Sequence, residues 1–432
     1  MFSKNKSLNF PKREIIIEHV IKSLNIYFTN NSEKISKLPI SPKENLKIRI
    51  PLKLIAIDIP SWGSEAGVGG KILVPEESLT TKNAKWTDVD WFSAAFLLLE
   101  SCHERTWELQ KHSIKSYSSR LKKWDTRAWD YAWVNRIGIF LSLWNDRDFE
   151  LGDLRKDYKL EISHDVDAIS KTFQLRIKQS TFNFINALRR FDNLKNLSTD
   201  FTKNMKFIIK NADMNNILNV IKIEKKYGLN STFNLYSKLP MRGPKSWLID
   251  PSYTLQSIKK YNIPKIILEN ECKIGMHGSI NSAKNLKRFI AEKNKLEIDL
   301  GIKIESHRQH WLSLYWGKTF HIYDASHLQI DSTLMFNDKS GFRNSACIQW
   351  KPWNFRAQNQ HMFTECPTLV MDSQIYDYAQ SPEKGFERAL RIIQEVKSVG
   401  GQGQILWHPH TLSSDYGWEE GFNHICSKLG TQ

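Results

Sequence analysis

The stretch YKLEISHDVD, residues 158–167, decides the interpretation of this chain. Its first half alternates charged and apolar residues, which is typical of a β-strand. The stretch then ends in two acids, Asp165 and Asp167. Because residues two apart share a face of an extended chain, both carboxylates are expected on one side. The stretch therefore predicts a strand whose end presents two acids to a common site.

Strand-like and helical segments alternate from this stretch onward. The predicted strands cover residues 158–167, 231–237, 272–279, 302–310, 328–336, 364–372 and 403–410. The predicted helices cover residues 170–195, 214–227, 254–270, 283–300 and 383–398. Strands separated by helices pair in parallel, so the pattern indicates an α/β fold, either a barrel or a doubly wound sheet.

Four of the predicted strands end in unusual polar sequences, at residues 163–167, 276–278, 307–310 and 406–410. Active sites of parallel α/β folds gather at the carboxyl ends of the strands. Carboxylates and imidazoles are suitable ligands for zinc or a similar divalent ion, and such an ion activates water at neutral pH. A second carboxylate can then take a proton, and a histidine across the site can protonate a leaving group. Any one of these sequences alone is commonplace; their occurrence at four strand ends indicates a site.

The order of these motifs resembles that of the NodB-type polysaccharide deacetylases, a family of carbohydrate esterases, over residues 158–415. The family motif Thr-Phe-Asp-Asp-Gly is similar to Ser-His-Asp-Val-Asp at 163–167. The family's paired-histidine motif is similar to His-Gly-Ser-Ile-Asn at 277–281. Its arginine-containing strand is similar to residues 306–310, and its Leu-x-His motif is similar to residues 406–408.

This resemblance implies a distorted (β/α) barrel of the polysaccharide deacetylase type over residues 156–432. It also implies roles for single residues. Asp165 would be the general base, with Arg308 orienting it, and His408 would be the general acid. Asp167 and His277 would hold a divalent metal, which we expect to be zinc, with nickel, cobalt or manganese as alternatives.

Two departures from the family pattern affect the site. Val166 separates the two acids that are adjacent in the family. Asn281 stands where the family has its second histidine, and an amide oxygen is a weak ligand for zinc. We select His310 as the replacement ligand, because it follows Arg308 by two residues and would share its side of a strand.

Further sequence motifs are similar to those of a divergent branch of these proteins that is found in surface-glycan gene sets. It comprises residues 331–334, residues 337–343 and Met371-Asp372. As substrate-binding residues we select Arg343, Trp407 and Asp372, which lie in or beside these motifs.

Residues 1–155 form a predicted α-rich extension of unknown role. The extension is rich in tryptophan, with Trp62, Trp86, Trp91, Trp107, Trp124, Trp129, Trp133 and Trp144. These side chains either pack a helical core or stack on sugars. In the second case, basic groups would contact phosphate. The candidates for that contact are Arg105, Arg120, Lys122, Lys123 and Arg127.

The chain has 62 basic and 46 acidic residues, a formal net charge of +16. This balance favours anionic partners or serves solubility alone. The five cysteines form no CxxC pair, which fits a reducing cytoplasm. We expect a soluble, cytoplasmic protein, with peripheral membrane association as an option. We do not expect nucleic acid as a partner, because the chain has no recognisable binding motif.

The function predicted from these residues is removal of an N-acyl group, such as acetyl, from an amino sugar. The sugar would be nucleotide- or lipid-linked, and the pathway would be the synthesis of a bacterial surface polysaccharide such as capsule or O-antigen. The alternative is a catalytically degenerate relative that binds glycan or a partner enzyme. Asn281 is the feature that favours the alternative.

Overall fold

The computed structural model describes residues 7–28, 31–189, 205, 207–209, 212–239 and 244–430. The strands are β1 (Leu54–Asp58), β2 (Lys71–Pro75), β3 (Lys159–Asp165), β4 (Ser231–Tyr236), β5 (Lys273–Gly278), β6 (Ser306–Gln309), β7 (Ile330–Asp331), β8 (Trp353–Asn354), β9 (Asn359–Gln360), β10 (Thr364–Glu365), β11 (Thr368–Met371) and β12 (Gln402–Leu406). Each strand predicted between residues 158 and 410 therefore has a counterpart, and the observed strands are shorter.

Eight strands form one sheet, in the order β10-β7-β6-β5-β4-β3-β12-β11. The pairs β3–β4, β4–β5, β5–β6 and β7–β10 are parallel. Helices separate most of these strands along the chain, as parallel pairing requires. The predicted fold class, an α/β fold of the (β/α) barrel type, is confirmed.

The two ends of this strand order belong to one chain segment. Only Cys366 and Pro367 separate β10 from β11. The amide of Cys366 donates to the carbonyl of Asp331 in β7 at 2.8 Å, and the amide of Gln404 in β12 donates to the carbonyl of Pro367 at 2.9 Å. One segment thus pairs first with β7 and then with β12, which curls the sheet.

The α-helices are Arg13–Ser23, Ser32–Ser36, Trp91–Leu99, Cys102–Gln110, Trp133–Asn145, Gly152–Lys156, Phe173–Arg189, Ile217–Lys226, Pro244–Ile249, Leu255–Lys260, Ile263–Glu269, Leu286–Leu300, Thr319–Ala325, Pro382–Ser398 and Glu419–Leu429. The predicted helix 254–270 is two helices, because Asn262 adopts a left-handed conformation with φ 53°. Residues 190–195 of the predicted helix 170–195 lie outside the described residues. No helix in the described ranges combines the length and apolar character needed to cross a membrane.

The chain divides into two compact units, each assembled from three segments. The first contains Met1–Leu160, Leu314–Val370 and Tyr378–Gln404; the second contains Glu161–Ser313, Met371–Asp377 and Ile405–Gln432. This division differs from the predicted boundary between residues 155 and 156. The difference arises because Leu314–Val370, which contains β7 to β10 and most of β11, belongs to the first unit.

The first unit also holds an antiparallel hairpin of β1 and β2, so residues 1–155 are not purely helical. Every residue of the helix Trp91–Leu99 is buried. The Trp62 ring stacks on Phe140 at 5.3 Å, and Trp86 meets Trp144 edge-on at 4.9 Å. These contacts favour the core-packing interpretation for these tryptophans.

Candidate metal centre

The parallel register places the candidate residues side by side at the carboxyl ends of β3 to β6. Asp165 lies opposite Asn234 of β4, and Tyr236 of β4 lies opposite His277 of β5. His277 in turn lies opposite Arg308 of β6. All of these strand ends belong to the second compact unit. The fold thus makes neighbours of the three motifs at the ends of β3, β5 and β6.

Asp167, His277 and His310 form the one group of potential metal ligands found among the described residues. One donor atom from each lies within 4.8 Å of the others. Oδ1 of Asp167 is 3.3 Å from Nε2 of His277 and 3.6 Å from Nε2 of His310. Two imidazoles and one carboxylate form a donor set that suits zinc and similar divalent ions, and they leave positions for water or substrate.

The other ring nitrogen of each histidine is already engaged. Nδ1 of His277 donates to the carbonyl oxygen of Arg308 at 3.0 Å. Nδ1 of His310 donates to Oδ1 of Asp250 at 3.2 Å. In a neutral ring these bonds would place the proton on Nδ1 and leave the Nε2 lone pair free for a metal ion. A second hydrogen bond of this kind is the usual support of a metal-ligating histidine.

Two of the three donor atoms have no hydrogen-bond partner within the described part of the chain. Oδ1 of Asp167 and Nε2 of His277 are buried and make no hydrogen bond there. Burial alone would raise the pKa of Asp167, but His310 and His277 hold this pKa well below its usual range. Asp167 is therefore a carboxylate at neutral pH. A buried carboxylate beside two imidazoles fits a divalent cation.

Asp165 sits beside this group and is held from two sides. Its Oδ1 accepts from Nδ2 of Asn234 at 2.8 Å and from Nη1 of Arg308 at 3.1 Å. Its Oδ2 lies 3.6 Å from Nδ1 of His277. Burial opposes ionisation, but His277 and Arg308 lower the pKa of Asp165 below its usual value. The carboxylate is thus ionised and fixed in orientation.

His408 approaches from the end of β12. Its Nε2 lies 4.0 Å from Oδ2 of Asp167. Nδ1 of His408 donates to Oδ1 of Asp372 at 2.9 Å, and its backbone amide donates to Oδ2 of the same carboxylate at 2.8 Å. Burial by itself lowers the pKa of an imidazole, but Asp372 outweighs it and raises the pKa of His408 to about 9. His408 is therefore a proton donor at neutral pH.

The three residues selected for substrate binding have other tasks. Asp372 is fully buried and holds His408, so it supports the predicted acid instead of contacting substrate. Trp407 is also fully buried, and its ring packs against Phe422 at 5.3 Å. Trp407 therefore exposes no ring face in this structure, and its role in substrate binding stays a prediction.

Arg343 lies in the first compact unit and is likewise buried. Its guanidinium donates to both carboxylate oxygens of Glu104, at 2.5 and 3.2 Å. It also donates to Ser116 Oγ at 2.8 Å and to the carbonyl of Met335 at 2.7 Å. Arg343 is therefore part of a buried ion pair with Glu104, and its role in substrate binding stays a prediction.

His307 and His310, on β6 and directly after it, face different surroundings. His307 is buried, and its ring packs against Phe289 of the helix Leu286–Leu300, away from Asp165. Arg308 and His310 face the acids instead. Asn281 precedes the short 3₁₀ turn Ser282–Lys284. The third donor of the group is His310, directly after the next strand, β6.

Two residues of the site were missed by the sequence analysis. Asn234 lies within the buried strand β4, and a polar residue among apolar neighbours was a signal that could have revealed it. Asp250 follows the helix Pro244–Ile249, where no periodic pattern distinguishes it from a turn residue. Space for Asn234 depends on Gly275, since a Cβ at that position would lie 2.3 Å from Oδ1 of Asn234.

No protein-family model matches this chain, and no curated protein matches it either. Among solved structures, it is similar to a protein from Mycobacterium smegmatis assigned as a polysaccharide deacetylase. The identity is 14%, the TM-score is 0.38, and the match covers 63% of this chain and 84% of that one. A second similar structure is a mutant of BA3943, described as a CE4 family pseudoenzyme with restored activity. Its identity is 12% and its TM-score 0.32, with 64% of this chain and 63% of that chain covered. Similarity at this level carries no functional argument.

Proposed function

We propose that this protein is a metal-dependent hydrolase that removes an N-acyl group from an amino sugar. The observation that carries the proposal is that one set of potential metal ligands and two charged pairs lie in one compact unit. These are the donor set Asp167, His277 and His310, the pair Asp165–Arg308, and the pair His408–Asp372. Amide hydrolysis needs an activated water, a base and an acid, and each group matches one of these needs.

Asp165 is the proposed base. Its two described hydrogen bonds fall on Oδ1, and they fix the plane of the carboxylate. Arg308, which is fully buried, keeps the carboxylate ionised, so Oδ2 can accept a proton from the attacking water. A base in this role must lie within hydrogen-bond reach of the water, which its position beside His277 allows.

His408 is the proposed acid. Asp372 fixes its ring through Nδ1, so the proton for transfer is on Nε2. That nitrogen faces the same acids as the donor set, at 4.0 Å from Asp167. It can therefore deliver a proton to the amine that leaves when the amide bond breaks.

A divalent ion held by Asp167, His277 and His310 would polarise the acyl carbonyl and make water more acidic. The choice of an amino sugar as substrate follows from the motif resemblance at residues 163–167, 277–281, 306–310 and 406–408. Zinc is the proposed ion, with nickel, cobalt or manganese as alternatives. We propose surface-polysaccharide synthesis in the cytoplasm as the setting; the five cysteines are buried free thiols, which suits that compartment.

We propose that the sugar is attached to an anionic carrier, a nucleotide or a lipid. The net charge of +16 supports an anionic carrier. A lipid is supported by exposed apolar side chains on segments next to the site: Phe173 is 72% exposed, Ile209 71% and Trp247 38%. Phe173 follows Asp167 by six residues, and Trp247 precedes Asp250 by three. Nucleic acid is not proposed as a partner.

The carrier is tested with vesicles. Vesicles of anionic phospholipid should bind the protein at low salt, whereas neutral vesicles bind it weakly. Substituting Phe173 and Ile209 by serine should reduce the binding. Binding to neither vesicle type, together with turnover of a nucleotide-linked sugar, would assign the nucleotide as carrier.

The activity is tested by acetate release from N-acetylated amino sugars, both nucleotide-linked and lipid-linked. Protein loaded with zinc or cobalt should release acetate, and the chelated protein and Asp165→Asn should not. Sugar binding without acetate release under every metal condition would overturn the proposal and favour the degenerate glycan-binding alternative.

A further inference from the structure

His310 needs support from outside its own strand. It follows the last residue of β6 and begins a short turn in which Trp311 and Leu312 have φ values of 58° and 45°. Left-handed conformations at two successive non-glycine residues turn the chain sharply. The regular pleat of a strand therefore ends before His310 and does not set the direction of its ring.

Asp250 supplies that support. It is fully buried and follows the helix Pro244–Ile249. Its Oδ1 accepts from Nδ1 of His310 at 3.2 Å and from the backbone amide of Ile280 at 2.9 Å. Its own carbonyl accepts from Nε2 of Gln174 at 3.1 Å, which anchors the backbone.

The two groups that share this oxygen belong to the loops where this chain departs from the motif pattern. Ile280 immediately precedes Asn281, which stands in place of a histidine. His310 is the imidazole that completes the donor set instead. The Asp250 carboxylate thus hydrogen-bonds both to the loop that has Asn281 in place of a histidine and to the turn that carries His310.

We propose that Asp250 is a positioning residue of the metal centre, which holds His310 with Nε2 directed at the ion. This inference rests on the proposed function. The carboxylate fixes the Nδ1–H tautomer and increases the basicity of Nε2.

The test compares metal affinity across matched variants of the full chain. Zinc affinity is measured by chelator competition, and the absorption spectrum of bound cobalt reports the ligand geometry. Asp250→Ala should weaken zinc binding by about 10–100-fold, the loss typical when the partner of a ligating histidine is removed. Asp250→Asn keeps an acceptor oxygen and loses the charge, so its loss should be smaller. Both variants should change the cobalt spectrum.

Glu292→Gln is the matched control. Glu292 is also buried and holds the same loop, through the amide of Ser279 at 2.9 Å and its hydroxyl at 2.5 Å. It has no contact with His310 among those described, so zinc affinity should stay within about twofold of wild type. An equal loss in Glu292→Gln would reduce Asp250 to a loop support and overturn the inference.

The outcomes also separate this inference from the proposed function. If wild-type protein binds no divalent metal, both fail. If wild-type protein binds zinc and Asp250→Ala and Asp250→Asn bind it equally well, only the role of Asp250 fails. If Asp250→Ala does not fold, Asp250→Asn decides. In the double variant with His310→Ala, the two losses should not add, because both remove the same ligand.

Discussion

Nε2 of His277 faces Oδ1 of Asp167 at 3.3 Å, and both atoms are buried. Because Nδ1 of His277 donates to the carbonyl of Arg308, a neutral ring presents a lone pair to the carboxylate. Two hydrogen-bond acceptors in contact repel each other unless a cation or a proton lies between them. This contact is the strongest physical reason to expect a metal ion in the site.

The first prediction concerns metal content. Purified protein should bind about one divalent ion per chain, measured by elemental analysis and zinc titration. Asp167→Ala, His277→Ala and His310→Ala should each weaken binding by more than about 100-fold, because a lost ligand costs more than a lost supporting partner.

His307→Ala is the control for these variants. His307 packs against Phe289 on the opposite side of β6, so the substitution should lower the melting temperature and leave zinc affinity unchanged. Equal metal loss in His307→Ala and His310→Ala would remove His310 from the donor set.

The second prediction separates the base from the ligands. Asp165→Asn removes the charge that accepts the proton, but it keeps an oxygen for Asn234 and Arg308. Turnover should fall by at least about 100-fold, as expected for the loss of a general base, and the zinc content should not change. Loss of zinc from Asp165→Asn would show that Asp165 is itself a ligand.

The third prediction concerns pH. His408 has its pKa raised to about 9 by Asp372, so the charged imidazole persists through neutral pH. The resulting stabilisation is fully present below the unfolded pKa of about 6.5 and is lost as pH rises through about 9. Activity should likewise fall on the alkaline side near pH 9. In Asp372→Asn the alkaline limb should shift toward the ordinary value, and a pH–rate profile that does not move would remove Asp372 from this role.

The fourth prediction concerns Arg343. Arg343→Ala leaves the carboxylate of Glu104 buried without its main partner, which should cost about 3–5 kcal/mol in the free energy of unfolding. Zinc affinity should be unchanged, because the pair lies in the other compact unit. Chemical denaturation measures the first quantity and chelator competition the second. A variant of normal stability with a raised KM would restore Arg343 to substrate binding.

Much of the site could be predicted because its residues lie at the ends of strands. The period of two along an extended chain placed Asp165 and Asp167 on one face. Parallel pairing then brought the strand ends to one edge of the sheet. These are local patterns with a fixed geometric consequence.

The sequence could not predict the residues whose position depends on tertiary contacts. Asp250 reaches His310 from a turn after a helix, and no local pattern connects residues 60 positions apart. The burial of Trp407 and Arg343 could not be predicted for the same reason. Aromatic and basic residues near a motif have the composition of a sugar site, and only burial shows that both serve the core.

The second compact unit has a consequence for protein synthesis. By residue 310 the growing polypeptide already contains the base and all three candidate metal donors, but the acid His408 belongs to the segment Ile405–Gln432. A chain interrupted between residues 310 and 405 would therefore hold every proposed ligand and no means of protonating the departing amine. Under the proposed function, turnover would be the last property that translation confers on this protein.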